Sequence, residues 1–111
     1  MLFLFIGYYD AEKMNQSSQQ ELDAVMERCN VPLEDFFTKT NVLYEWHPGA
    51  ETKRARLLDG QIRRQDGPDP DKTEQIGSLV VFEAVDLEQA VDLTLLHPTT
   101  QIEEAEQYGW R

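Results

Sequence analysis

Leu2-Phe3-Leu4-Phe5-Ile6-Gly7-Tyr8-Tyr9 is the stretch whose reading decides the fold. Side chains along a strand alternate between two faces, and here Phe3 and Phe5 on one set and Leu2, Leu4 and Ile6 on the other are all apolar. A strand with no solvent face must be covered on both sides. It is therefore expected to be central in its sheet. No basic residue precedes it, and it is too short to span a bilayer or to serve as a complete signal peptide.

Outward from that strand, Ser18-Gln19-Gln20-Glu21 has the S-x-x-E pattern in which serine and glutamate each satisfy a free amide at a helix start. A helix is predicted from about Gln19. Leu22, Val25, Met26, Cys29, Leu33, Phe36 and Phe37 recur at spacings of three and four and make its core face. Pro32 interrupts the run and predicts a kink or a break just before it. Val42 to Trp46 reads as a strand ending at the turn His47-Pro48-Gly49. Asp59-Gly60, between Ala55-Arg56-Leu57-Leu58 and Gln61-Ile62-Arg63-Arg64, is a two-residue hairpin signal that pairs Leu57 with Ile62 and Arg56 with Arg63. A loop from Asp66 to Glu74 leads to a second central strand at Ile76 to Ala84. Asp86-Leu87-Glu88-Gln89 caps the last helix, which Pro98 stops, and a short strand is expected around Ile102.

The order is that of one α+β domain over residues 1–111, a ferredoxin-like βαββαβ arrangement with an inserted hairpin. Its helices cover only one face of the sheet. The two-sided first strand therefore implies a second subunit's sheet on the other, and a homodimer is expected.

Composition narrows the function classes. The net charge of −11, from 21 acidic and 10 basic side chains, repels phosphate backbones and anionic lipid, so neither nucleic acid nor membrane is an expected partner. Cys29 is the one cysteine, which rules out an internal disulfide framework and agrees with a cytoplasmic location. On the apolar helix face it reads as a small buried hydrophobe.

Among candidate site residues, His47 with Asp66 is the most enzyme-like pair, because an imidazole can shuttle a proton while a carboxylate orients it. The competing reading makes His47 a turn residue and Asp66 the start of a Gly-Pro loop that accepts a nearby amide. Tyr8 and Tyr9 face opposite ways, so that one of them can line a cleft with its hydroxyl. Arg56 and Arg63, together with Arg54, share a hairpin face that can bind a carboxylate ligand or meet acidic groups of a partner subunit. His97 reads as a structural residue at a helix C-terminus, interacting with the dipole. Asp66, Asp69 and Asp71 lack the spacing of a calcium loop, and neither a metal nor a cofactor is expected.

Asp66-Gly67-Pro68, Glu74-Gln75-Ile76-Gly77 and Asp86-Leu87-Glu88-Gln89-Ala90 together resemble the YCII-related family, in particular its DGPF-domain branch. The likeness extends more loosely through Met1 to Asp10 and His97-Pro98. Asp69 replaces the branch's phenylalanine, and Thr73 replaces a lysine usual before Glu74. The resemblance implies a dimeric α/β barrel with a cleft between sheet, first helix and loops. Relatives often carry a first-helix histidine credited, with an aspartate, with acid/base work; here Arg28-Cys29-Asn30 occupies that neighbourhood. Two functions follow as expectations: a small-molecule binding protein or enzyme acting on a small, anionic ligand, or a non-catalytic dimeric scaffold or regulatory module.

Overall fold

A computed structural model describes residues 1–49, 51–102 and 105–111. Strand β1 (Leu2–Asp10) runs into a short helix α1 (Ala11–Asn15), whose first turn is held by the Asp10 carboxylate accepting the amides of Glu12 and Lys13 at 3.0 and 3.2 Å. Helix α2 (Gln19–Arg28) starts at Ser18, whose hydroxyl accepts the Glu21 amide at 3.1 Å, as the capping pattern predicts. Helix α3 (Asn30–Lys39) follows after a break at Cys29. Pro32 lies in the first turn of α3, where its missing N–H costs no intrahelical hydrogen bond, so the break falls just upstream of it. The core face continues across the break, with Val25 and Phe36 buried and Leu22, Leu33 and Phe37 half-buried.

Strand β2 (Asn41–Trp46) precedes a hairpin of β3 (Lys53–Leu58) and β4 (Gln61–Asp66), and β5 (Glu74–Glu83) follows the loop after it. The hairpin has the expected register: Leu57 opposes Ile62 and Arg56 opposes Arg63. Asp59 and Gly60 take positive φ values of 52° and 75°, the conformation a type I′ turn requires. All six residues of β4 are exposed.

The main sheet has the order β1-β5-β2, with both pairings antiparallel. The central strand is thus β5, and the expectation for β1 is corrected. Its partner on one side is β5; on the other, among the described residues, only the end carrying Tyr8 to Asp10 is covered, by residues 109–111. Tyr8 and Arg111 exchange backbone hydrogen bonds at 2.6 and 3.0 Å, and the Asp10 amide donates to the Gly109 carbonyl at 2.7 Å. Helix α4 (Leu87–Thr94), capped by Asp86, and the four-residue α5 (Pro98–Gln101) complete the described elements. Helix α4 ends at Thr94, before Pro98 is reached, and Pro98 instead occupies the first position of α5. No strand forms at Ile102, which caps α5, while residues 103 and 104 lie outside the described part.

The core sits on one face of the sheet, where Val80, Phe82 and Ala84 of β5 meet Phe36 and Ala90 and are flanked by Phe3 and Phe5. On the opposite face the register aligns two apolar rows, Leu4–Val81–Tyr44 and Ile6–Leu79–Trp46. Leu4, Tyr44 and Trp46 in these rows are 56, 61 and 49% exposed, so the described residues leave much of the second apolar set of β1 uncovered. Among the described residues, no helix is long and apolar enough to cross a membrane.

Candidate functional site

A cavity of about 490 Å³ opens on the helix side of the sheet beside Tyr8, Tyr9 and Gly77, and Phe37 and Val80 line it where it adjoins the aromatic core. Two glycines there leave room for neighbouring side chains. A Cβ on Gly7 would lie 2.4 Å from the Ser78 hydroxyl, and one on Gly77 would lie 3.1 Å from the Tyr9 ring. The β1–β5 register slips between Gly7 and Tyr8, leaving Gly77 without an opposing residue. Such a bulge re-aims the side chains around it. It is the reason that both Tyr8 and Tyr9 border the cavity although they are adjacent on one strand. The Tyr9 hydroxyl donates to Gln75 Oε1 at 2.9 Å, and the Arg111 guanidinium lies 4.6 Å from the Tyr8 ring centre.

Val25, Met26, Cys29, Leu33 and Phe37 make the helical wall, so the break at Cys29 places a thiol beside the cavity. Its Sγ–H donates to the Val25 carbonyl at 3.3 Å, and burial pushes the thiol above its ordinary pKa. The thiol is thus half-buried rather than buried as the sequence implies, and its raised pKa disfavours the reactive thiolate. The described lining contains no lysine or arginine.

Two histidines line the cavity in different circumstances. His47, exposed at the mouth, has Nε2 2.8 Å from Glu45 Oε1 and Nδ1 3.3 Å from the Gly77 carbonyl oxygen. Both oxygens are acceptors, so only a doubly protonated ring satisfies both contacts; a neutral ring keeps one of them and presents a free lone pair. His97 lies deeper, its ring 4.7 Å from that of Phe5 and 5.4 Å edge-on from that of Phe36. It is the N-cap of α5, with Nδ1 accepting the Thr99 amide at 3.3 Å. Desolvation lowers its pKa to about 4, opposed in part by the Glu45 carboxylate. The expected role of His97 as a charged partner of a helix C-terminus is therefore wrong: the ring is neutral and faces the start of a helix.

The other candidates are dispersed. Asp66 does not line the cavity; its side chain is 90% exposed at the hairpin end and pairs with Lys53 at 3.8 Å. The carboxylate that meets His47 is Glu45, two residues back on the same strand and brought alongside as the chain leaves the sheet, so the expected His47–Asp66 pair is not assembled. Arg56 and Arg63 do share a hairpin face, outside the cavity. Arg54 is turned toward the loop, its Nε donating to the Gly67 carbonyl at 3.2 Å and Nη1 lying 3.7 Å from Asp69. Glu45 and His97 are the site residues that sequence reasoning passed over. Glu-x-His, ending a strand before Pro-Gly, is the signal that points to the first; nothing local marks the second.

A search of curated proteins finds no match. The sequence model of the YCII-related domain matches residues 1–109. With nearly its whole length matched, the chain belongs to the YCII-related domain family.

Proposed function

We propose that this YCII-related chain binds a small, mainly apolar molecule in the cavity between sheet and helices and exchanges a proton with it through His47. The observation that carries the reading is the combination of apolar walls with a Glu45–His47 pair at the mouth. Apolar walls with a few placed polar groups are the usual composition of a ligand pocket. Glu45 orients the imidazole, and the ring alternates between the doubly protonated form that satisfies both neighbours and the neutral form that can accept a proton. An anionic ligand fits this cavity poorly: the described lining carries no lysine or arginine, the charge of a protonated His47 is already matched by Glu45, and Glu45 repels negative charge. A fragment screen by thermal shift tests the reading. Neutral apolar fragments are expected to raise the melting temperature and small carboxylates to leave it unchanged; stabilisation by carboxylates alone would overturn it.

The assembly we propose is a two-fold dimer of ferredoxin-like subunits whose open sheet faces close into an α/β barrel. Sheet order β1-β5-β2, with the C-terminal residues beside β1, supports that topology. The rows through Leu4 and Ile6 carry no charged side chain, so a second copy can cover them despite the net charge of −11. Asp66-Gly67-Pro68 supports placement in the DGPF branch, and the single cysteine supports a cytoplasmic location.

One observation favours a non-catalytic module as the second reading. The β3–β4 hairpin stands exposed and holds five of the chain's ten basic side chains against two of its 21 acidic ones. A basic arm on an acidic body suits contact between acidic surfaces, including that of a partner subunit.

A further inference from the structure

His97 has one polar atom that the fold does not use. Nδ1 accepts the backbone amide of Thr99 and lies 3.0 Å from the Thr99 hydroxyl, so the ring proton of the neutral form sits on Nε2. Nε2 has no hydrogen-bond partner among the described residues, and it is not one of the sealed, unpartnered polar atoms, so it remains reachable. The ring cannot easily turn, because Phe5 and Phe36 pack on it and the cap fixes Nδ1. A rigid N–H donor therefore stands in the wall of a mainly apolar cavity, where a polar group without a partner is costly.

We propose that His97 Nε2–H is a binding group for an acceptor oxygen on the ligand, and that the ligand class is an uncharged, apolar carbonyl compound. The inference rests on the cavity's being a ligand site. A hydrocarbon would leave the donor unsatisfied, and a carboxylate would meet the Glu45 charge with no lysine or arginine in the described lining to offset it, His47 being already paired with Glu45. A carbonyl oxygen takes the N–H while the rest of the molecule fills the space beside Val25, Leu33 and Phe37. His47 at the mouth and His97 within are then distinct in role: the first moves a proton, the second holds the oxygen and keeps its own.

The test uses the whole chain and two probes of similar shape, α-tetralone and tetralin, titrated against wild type, His97→Asn and His97→Phe. Asparagine preserves the helix cap through Oδ1, but its shorter side chain does not bring an N–H to the Nε2 position; phenylalanine preserves the ring packing and loses both cap and donor. The expected result is that both probes bind wild type, that tetralone binding weakens about fivefold in both variants, as loss of one neutral hydrogen bond implies, and that tetralin binding is unchanged. The histidine ¹⁵N spectrum of the free protein at neutral pH should show His97 protonated at Nε2. Equal effects on the two probes, no effect on tetralone, or a proton on Nδ1 would overturn the role of His97 while leaving the cavity reading intact. Failure of both probes to bind wild type would overturn both.

Discussion

At the scale of single residues, the two cavity histidines show how surroundings place one side-chain type in two environments, one exposed beside a carboxylate and one packed among aromatic rings. His97 is packed against Phe5 and Phe36 and is neutral, with its pKa lowered from 6.5 to about 4 by burial. Its folded-state value lies below its unfolded one, so the unfolded chain binds a proton first as the solution is acidified. The stabilising contribution is present above about 6.5 and is lost as pH falls toward about 4. The loss should amount to about 2 kcal/mol, less than complete burial would give because the ring is not sealed from solvent. Urea denaturation of wild type and His97→Asn across that window checks this: the variant should show a shallower decline, and parallel curves would contradict it. None of this is legible in Leu96-His97-Pro98, because the rings that bury His97 come from β1 and α3. The His47–Asp66 expectation failed for a related reason. A hairpin lies between the two residues in sequence and carries Asp66 outward, while Glu45 needs only the exit of β2 from the sheet to reach the imidazole.

At the scale of elements, local signals performed well wherever the interaction is local. Ser18 and Asp86 cap their helices, Pro32 marks the break before α3, and Asp59-Gly60 turns the hairpin in the expected register. The first strand misled because its two apolar sets are covered by different means. Phe3 and Phe5 face the core, whereas Leu2 and Leu4 face outward, and sequence cannot say that a neighbouring strand lies on one side only. The end of the chain was the least legible element, since its pairing with β1 rests on one backbone conformation. Gly109 has φ of +99°, and a Cβ there would stand 2.6 Å from the Asp10 carbonyl oxygen. Gly109→Ala should therefore cost about 1–3 kcal/mol and loosen residues 109–111 from Tyr8 and Asp10. Chemical denaturation gives the magnitude, and faster hydrogen exchange at the Tyr8, Asp10 and Arg111 amides identifies the place; unchanged exchange would contradict it. The hairpin offers a second check. Two strands without a covering layer are marginal on their own, so amides in residues 53–66 should exchange well before those of β5 in the monomeric chain, and exchange as slow as that of β5 would show that they are covered.

For the whole molecule, the dimensions carry the same message as the exposed rows. The Cα radius of gyration is 16.5 Å, against about 13 Å for a chain of this length folded as a simple globule. The excess reflects an exposed hairpin and a sheet layered on one side only. Covering the rows through Leu4 and Ile6 with a second copy removes that imbalance, and Leu4→Asp should prevent it by placing a charge at the centre of the contact. Light scattering is expected to give twice the 12.9 kDa chain mass for wild type and the single mass for the variant. A monomeric wild type across a tenfold dilution would remove the barrel from the account.

The central claim is that the cavity beside Glu45, His47 and His97 takes a small uncharged ligand, and backbone ¹H–¹⁵N correlation spectra recorded with α-tetralone test it most directly. Shifts that saturate and cluster at Gly7, Gly77, Ser78 and Trp110, all on the cavity wall, are expected. Absence of saturable shifts, or shifts confined to Leu4, Val81 and Tyr44 on the open sheet face, would contradict it.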